Sequence, residues 1–167
     1  MLVDRGGASL SVVAIISLRP IVGSDLDLIY RHREDMFREA GRPAADLQET
    51  AEPFRRWLEP RLADGCYLGC IAQDAGAAVG GVGLMEVDRP PHPAHPQDER
   101  RGCVLNVFVD PSHRRQGVAK LLMQAGEDAF IRRRISYVFL HASKAGRPLY
   151  LRTGWTQTNE MAKTLEA

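Results

Sequence analysis

Residues 103–122 constrain the fold more than any other stretch. Cys103 to Val109 is a near-continuous apolar run, typical of a β-strand covered on both faces. Asp110-Pro111-Ser112 ends it, and a helix is expected from Gln116 or Gly117 to about Arg133, with Val118, Leu121, Leu122, Ala125 and Phe130 as its apolar stripe. The turn between them carries Gly117, a residue without a β-carbon, at the helix start. There the unpaired N–H groups and the positive end of the helix dipole gather, a geometry that binds phosphate or pyrophosphate. An ordinary strand-to-helix turn would carry the same glycine, so Gly117 and Ala119 alone leave both readings open. The dinucleotide pattern Gly-x-Gly-x-x-Gly and the nucleoside-triphosphate pattern ending Gly-Lys-Ser/Thr are both missing from this turn.

The rest of the chain supplies the layers such a strand needs. With 167 residues it fits one domain, and 44% hydrophobic with 26% charged residues argues against disordered, collagenous and disulfide-scaffold classes. Val12 to Leu18 reads as a first strand stopped by Arg19-Pro20, after residues 1–11 as an N-terminal extension. A helix capped by Ser24 or Asp25 follows, ending at Gly41-Arg42-Pro43. A second runs from Asp46 or Thr50 to Ala63, with Pro60 as a point of bending. Cys66 to Gln73 and Val79 to Val87 read as a hairpin around Asp74-Ala75-Gly76. Arg89 to Arg101, with four prolines, is a surface loop. Ser136 to Ala142 is another buried-type strand, followed by a short helix over 147–152, Gly154, and a last polar strand from Trp155 to about Leu165.

Charge and cysteine content narrow the setting. Twenty-two Lys plus Arg against 21 Asp plus Glu leave a formal net charge of +1, so no global basic field draws the chain to nucleic acid or anionic lipid. The run Arg132-Arg133-Arg134 suits the negative end of a helix instead. The apolar run Leu10 to Leu18 is far short of the roughly 20 residues of a spanning helix, and residues 1–9 lack a signal-peptide pattern. Cys66 and Cys70, on one strand, would hold their α-carbons about 13 Å apart, too far to bridge. Three cysteines are an odd number, and reduced thiols in a cytoplasmic protein are the expectation.

Arg114-Arg115-Gln116-Gly117-Val118-Ala119 resembles the Arg/Gln-x-x-Gly-x-Gly/Ala signature of the GNAT superfamily of acyl-CoA-dependent N-acetyltransferases. Pro148-Leu149-Tyr150-Leu151-Arg152-Thr153-Gly154-Trp155 looks like that family's second signature, with Trp155 in place of the usual Phe. Element order agrees over about residues 12–165. The resemblance implies an α/β (α+β) fold with a central mixed, mostly antiparallel sheet of about six to seven strands and about four helices, forming a single domain over 12–167. It implies acetyl transfer from acetyl-CoA to a primary amine of a small molecule or peptide, by direct attack in a ternary complex. A catalytically silent acyl-CoA-binding module is the alternative. A homodimer is compatible with exposed sheet edges.

The same resemblance assigns roles. The main chain of Val107, Phe108 and Val109 would pair with the pantetheine arm. The amides of Arg115, Gln116, Gly117, Val118, Ala119 and Lys120 would hold the pyrophosphate, assisted by the charge of Arg114. Ser143 stands where relatives place a cofactor-binding Asn or Ser, and helix capping is its other reading. Tyr150 matches the tyrosine credited with assisting the departing CoA thiolate. Where several relatives carry a Glu early in the signature strand, this chain has Cys103, which leaves Glu86, Asp88, His92 and His95 as bases. Asn106 and His141 are polar residues within apolar strands, so each must find partners, and they are candidates, with Glu86, for the acceptor side. His92 and His95 have no Cys or carboxylate pattern around them, and no metal is expected.

Overall fold

The computed structural model describes residues 15–93 and 95–164. The expected extension over 1–11, the start of the first strand at Val12 and the end of the last at Leu165 lie outside them. Five strands form one sheet in the order β1 (Ile16–Pro20), β2 (Tyr67–Asp74), β3 (Ala77–Asp88), β4 (Arg100–Val109) and β5 (Val138–Leu140). The first four are antiparallel neighbours, and β5 joins β4 in parallel after a crossover through a helix. The hairpin is closed by Ala75 and Gly76 at φ 47° and 86°, two left-handed residues as a two-residue turn between right-twisted strands requires.

Helices α1 (Leu26–Glu39) and α2 (Ala44–Ala63) cover one face, and α3 (Val118–Arg132) the other. Leu122, Met123 and Phe130 of α3 pack with Ala72, Val82, Leu84 and Val104 of the sheet. Ile29 of α1 and Phe54 and Leu58 of α2 pack with Tyr67 of β2. Helix α2 starts earlier than expected, because Pro43 supplies the cap position and its carbonyl accepts from Leu47 N; it continues through Pro53 and Pro60. Asp25 does not cap α1 with a side-chain bond. Its buried carboxylate instead takes two 2.7 Å bonds from Arg19 and one from Val22 N, and the guanidinium holds its pKa below the usual carboxylate range.

The sheet has five strands among the described residues, fewer than six to seven, because residues 155–164 form no strand. Thr156, Gln157, Thr158, Asn159 and Glu160 offer no apolar face to seat on the core, and Met161 is 95% exposed. Trp155 turns back to donate from Nε1 to Glu127 Oε1 at 2.9 Å. Strand β5 is shorter than expected, and β4 longer: its ladder with β3 extends to Arg100 opposite Asp88.

Close approach makes one glycine indispensable. A β-carbon at Gly83 would stand 1.9 Å from Tyr67 Oη, and Tyr67 is 3% exposed. Gly83→Ala should therefore cost about 3 kcal/mol of stability through overpacking, a fall of about 10 °C in Tm measured by circular dichroism. An unchanged Tm would mean that Tyr67 moves aside at no cost.

Candidate active site

Strand β4 changes phase at Asn106. Gly83 faces Leu105 while Gly81 faces Phe108, so β4 has one residue more than β3 across this interval. Asn106 takes the extra place at φ 50°, a left-handed conformation that Asn tolerates better than most residues. Both Leu105 and Asn106 therefore turn toward α1 and α2, after which Val107 and Val109 pack on the α3 side. Phe108 stacks on His32 of α1, ring centroids 4.8 Å apart. Burial pushes the His32 pKa down to about 4, so its ring is neutral at pH 7.

Beside the bulge the sheet opens. Strands β4 and β5 pair only from Gly102 with Val138 to Val104 with Leu140, after which β4 continues to Val109 and β5 stops. Among the described residues, the main chain of Val107, Phe108 and Val109 thus has no strand partner on its β5 side. Beyond it, Asp110 accepts from Ser112 N at 2.9 Å to start a single 3-10 turn over Pro111–His113. His113 Nε2 lies 3.1 Å from Asp74 Oδ2, pinning this turn to the end of β2. Arg115 and Gly117 are both left-handed, at φ 59° and 85°, and bring the chain into α3. Leu121 N makes the first bond to Gly117 O, so the amides of Val118, Ala119 and Lys120 have no partner within the helix. No atom lies within 4 Å of where a β-carbon of Gly117 would stand.

The charged side chains around this turn divide. Arg114 is engaged: its Nη2 donates to both Glu39 oxygens at 2.6 and 2.8 Å and its Nε to Val109 O. Gln116 donates to Ser112 O. Arg115 and Lys120 have no ion pair among the described residues. An open glycine face, free amides and two unpaired cations fit the pyrophosphate of a CoA thioester.

Tyr150, on α4 (Arg147–Arg152), is half-buried at the edge of the α3-side core that also holds Val107, Val109 and Leu140. Burial pushes its hydroxyl pKa up, so it is a protonated donor at neutral pH. Ser143 Oγ accepts from Gly146 N at 3.0 Å, leaving its own O–H free to donate. A β-carbon on Gly146 would touch both Ser143 Oγ and the Tyr150 ring, so these two side chains stand together. His141 shares with Tyr150 and Trp155 a cleft of about 580 Å³ along β5; it is exposed, 3.7 Å from Glu160 Oε1.

Asn106 Oδ1 accepts from Arg33 Nη1 at 3.0 Å, and its Nδ2 donates to Tyr67 Oη at 2.9 Å. Burial pushes the Tyr67 pKa up to about 12. Glu86 is not brought to the parted strands. It lies opposite Gly102, where β4 and β5 are still paired, with its carboxylate held by Arg100 and by Arg133 at 3.1 Å. Asp88 ends β3 opposite Arg100, and His95 lies against Tyr137 in the proline loop. Cys103 is buried, and burial raises its thiol pKa.

Arg33, His32 and Tyr67 escaped the sequence reading. The signal for the first two was a cation and a histidine at i+4 and i+3 from Ile29, on the buried stripe of α1. Nothing local singled out Tyr67.

The model of the Acetyltransferase (GNAT) family matches residues 26–155. A GCN5-related N-acetyltransferase from Ralstonia eutropha shares 49% identity over 90% of this chain and 98% of its own, with a TM-score of 0.88. A predicted acetyltransferase from Clostridium acetobutylicum, solved with acetyl-CoA, shares 23% identity over 90% and 96% of the two chains, with a TM-score of 0.81. An aminoglycoside N-acetyltransferase, AAC(6')-Iy, solved with CoA, has the same fold at 18% identity and a TM-score of 0.69, over 99% of each chain. No curated protein sequence matches this chain. The chain belongs to the GNAT acetyltransferase family, and it is an acetyltransferase. No helix among the described residues is long and apolar enough to cross a membrane, and no group of three or more His, Cys, Asp or Glu among them could hold a metal ion.

Proposed function

We propose that this protein transfers the acetyl group of acetyl-CoA to a primary amine of a small molecule or peptide, by direct attack while both substrates are bound. The observation that carries this reading is the parting of β4 from β5 directly before an open glycine turn. Acetyl-CoA supplies an acyl group already activated as a thioester. The free backbone edge of Val107, Phe108 and Val109 pairs with its pantetheine arm, and the amides from Arg115 to Lys120 hold its pyrophosphate. Ser143 offers its O–H to the cofactor. Tyr150 donates a hydrogen bond to the leaving sulfur.

The acceptor amine enters from the side of Asn106, where the bulge turns a polar side chain out of an apolar strand; His141 borders the other side of the opening. Glu86 takes no part, because its two arginines occupy it. With no carboxylate in the Cys103 position, the amine proton leaves through water. The reading is tested by acetyl-CoA-dependent thiol release over a panel of amines, amino acids and peptides. A protein that binds acetyl-CoA yet acetylates nothing would favour the silent-module alternative.

Charge at the turn gives a second test. Arg115→Ala should weaken acetyl-CoA binding about three- to tenfold at low salt, with the loss shrinking as salt rises. Arg114→Ala should weaken it less, since Glu39 already neutralises that guanidinium. Calorimetric titration at two salt concentrations separates them, and equal losses would place Arg114 on the phosphate as well.

A further inference from the structure

Among the described residues, Arg33 is a half-buried cation with no counter-ion. Its guanidinium lies 4.6 Å from the Phe37 ring centroid and 4.5 Å from that of Phe54. It donates one hydrogen bond, from Nη1 to Asn106 Oδ1, and its Nε and Nη2 have no partner among the described residues. No carboxylate among them forms an ion pair with it. The neighbouring acids are committed elsewhere: Glu34 and Asp35 to Arg38, Asp27 to Arg55. Burial lowers its pKa, with no carboxylate acting against that. Taking a charge partly out of water without a partner is costly, and aromatic faces repay only part of it.

The location makes this more than a packing oddity. Asn106, the residue Arg33 holds, is the extra residue of β4 and immediately precedes Val107, Phe108 and Val109. Asn106 thus ties the Arg33 guanidinium to the residue just before the strand edge where, on the proposed function, the thioester is delivered. A guanidinium edge with two free N–H groups matches a planar carboxylate in geometry and charge. A phosphate dianion would call for a second cation, and no other Lys or Arg hydrogen-bonds to Asn106 or Tyr67 among the described residues. A purely cationic acceptor, such as a polyamine, would meet like charge there with no carboxylate to offset it.

We propose that Arg33 recognises a carboxylate on the acceptor, so that the preferred substrates are amines that also carry one, such as α-amino acids or short peptides with a free C-terminus. This rests on the acetyl-transfer reading and adds the class of acceptor. Arg33 acts as a specificity-determining residue, with Asn106 fixing its position.

The test uses matched acceptors that differ only at the carboxylate: L-alanine and L-alaninamide, glycylglycine and its amide, L-lysine and cadaverine. Acetyl-CoA binding is measured in parallel by calorimetry. In the first two pairs the amide has the more easily deprotonated amine, so intrinsic reactivity favours it and a preference for the acid reports binding. L-Lysine has a more easily deprotonated α-amine than cadaverine, so in that pair only a preference for cadaverine is informative. The protein should release thiol with alanine or glycylglycine at a kcat/KM tenfold or more above that of its amide. Arg33→Gln should raise KM for that acid tenfold or more beyond any change for the amide, and Arg33→Lys should restore part of the difference. Thiol release without preference for any acid, or with preference for cadaverine, overturns the inference and leaves acetyl transfer standing. Acetyl-CoA binding with no thiol release from any acceptor, or failure to bind acetyl-CoA, overturns both. The wild-type ratio decides the matter even if Arg33→Gln does not fold.

Discussion

Gly117→Glu should leave the protein folded and reduce its affinity for acetyl-CoA at least 100-fold. The substitution meets no atom within 4 Å of its β-carbon, so the fold bears only the cost of a left-handed non-glycine residue, about 1–2 kcal/mol. The same open space is where a pyrophosphate would lie against the amides of Val118, Ala119 and Lys120, and a carboxylate there repels it. Calorimetry with acetyl-CoA, paired with a thermal melt, reads both effects. Parental affinity in a folded variant would show that the nucleotide lies elsewhere. Gly117→Ala makes a graded control, with the same backbone strain and no added charge.

Tyr150→Phe should lower turnover by about 10- to 1,000-fold while acetyl-CoA affinity and Tm stay near the parental values. The ring keeps its packing against Trp155, and only the hydroxyl is lost. A thiol leaves with a pKa of about 8.5, below the roughly 10 of a free phenol, and burial raises that of Tyr150 further. Full proton transfer from Tyr150 is therefore uphill, and the hydroxyl acts chiefly as a hydrogen-bond donor to charge growing on sulfur. Steady-state thiol release under conditions where chemistry limits the rate is the measurement. Parental turnover would reduce Tyr150 to a packing residue and leave protonation of the thiolate to water.

How far the sequence could be read depended on the range of each interaction. The glycine turn was legible because its cause is local: a strand stop, a residue suited to positive φ and a helix start lie within a dozen positions. Asn106 was legible as a polar residue in need of partners, but Tyr67 and Arg33 lie 39 and 73 residues away and reach it only through the fold. Arg114 looked free in the sequence and is held by Glu39, 75 residues distant. The strand expected from Trp155 was read as a polar strand after Gly154 and does not form, since its polar residues give it nothing to bury. The early start of β4 at Arg100-Arg101 was hidden for the opposite reason, since a ladder with β3 needs backbone partners and no apolar side chains.

The single added residue in β4 acts as a half-turn in the strand's reading frame. Upstream of it, Val104 points into the core beneath α3; downstream, that role falls to Val107 and Val109, three and five positions on rather than two and four. Were β4 to alternate strictly through these same residues, with Asn106 in a regular extended place, everything beyond Asn106 would change face. The valines would then meet His32, and Phe108 would enter a core packed for smaller side chains. The free edge of β4 and the surface toward α1 and α2 are thus set by one backbone irregularity, held by Arg33 and Tyr67. On the proposed function, α1 and α2 can change their side chains, and with them the acceptor, without disturbing the edge meant for the thioester.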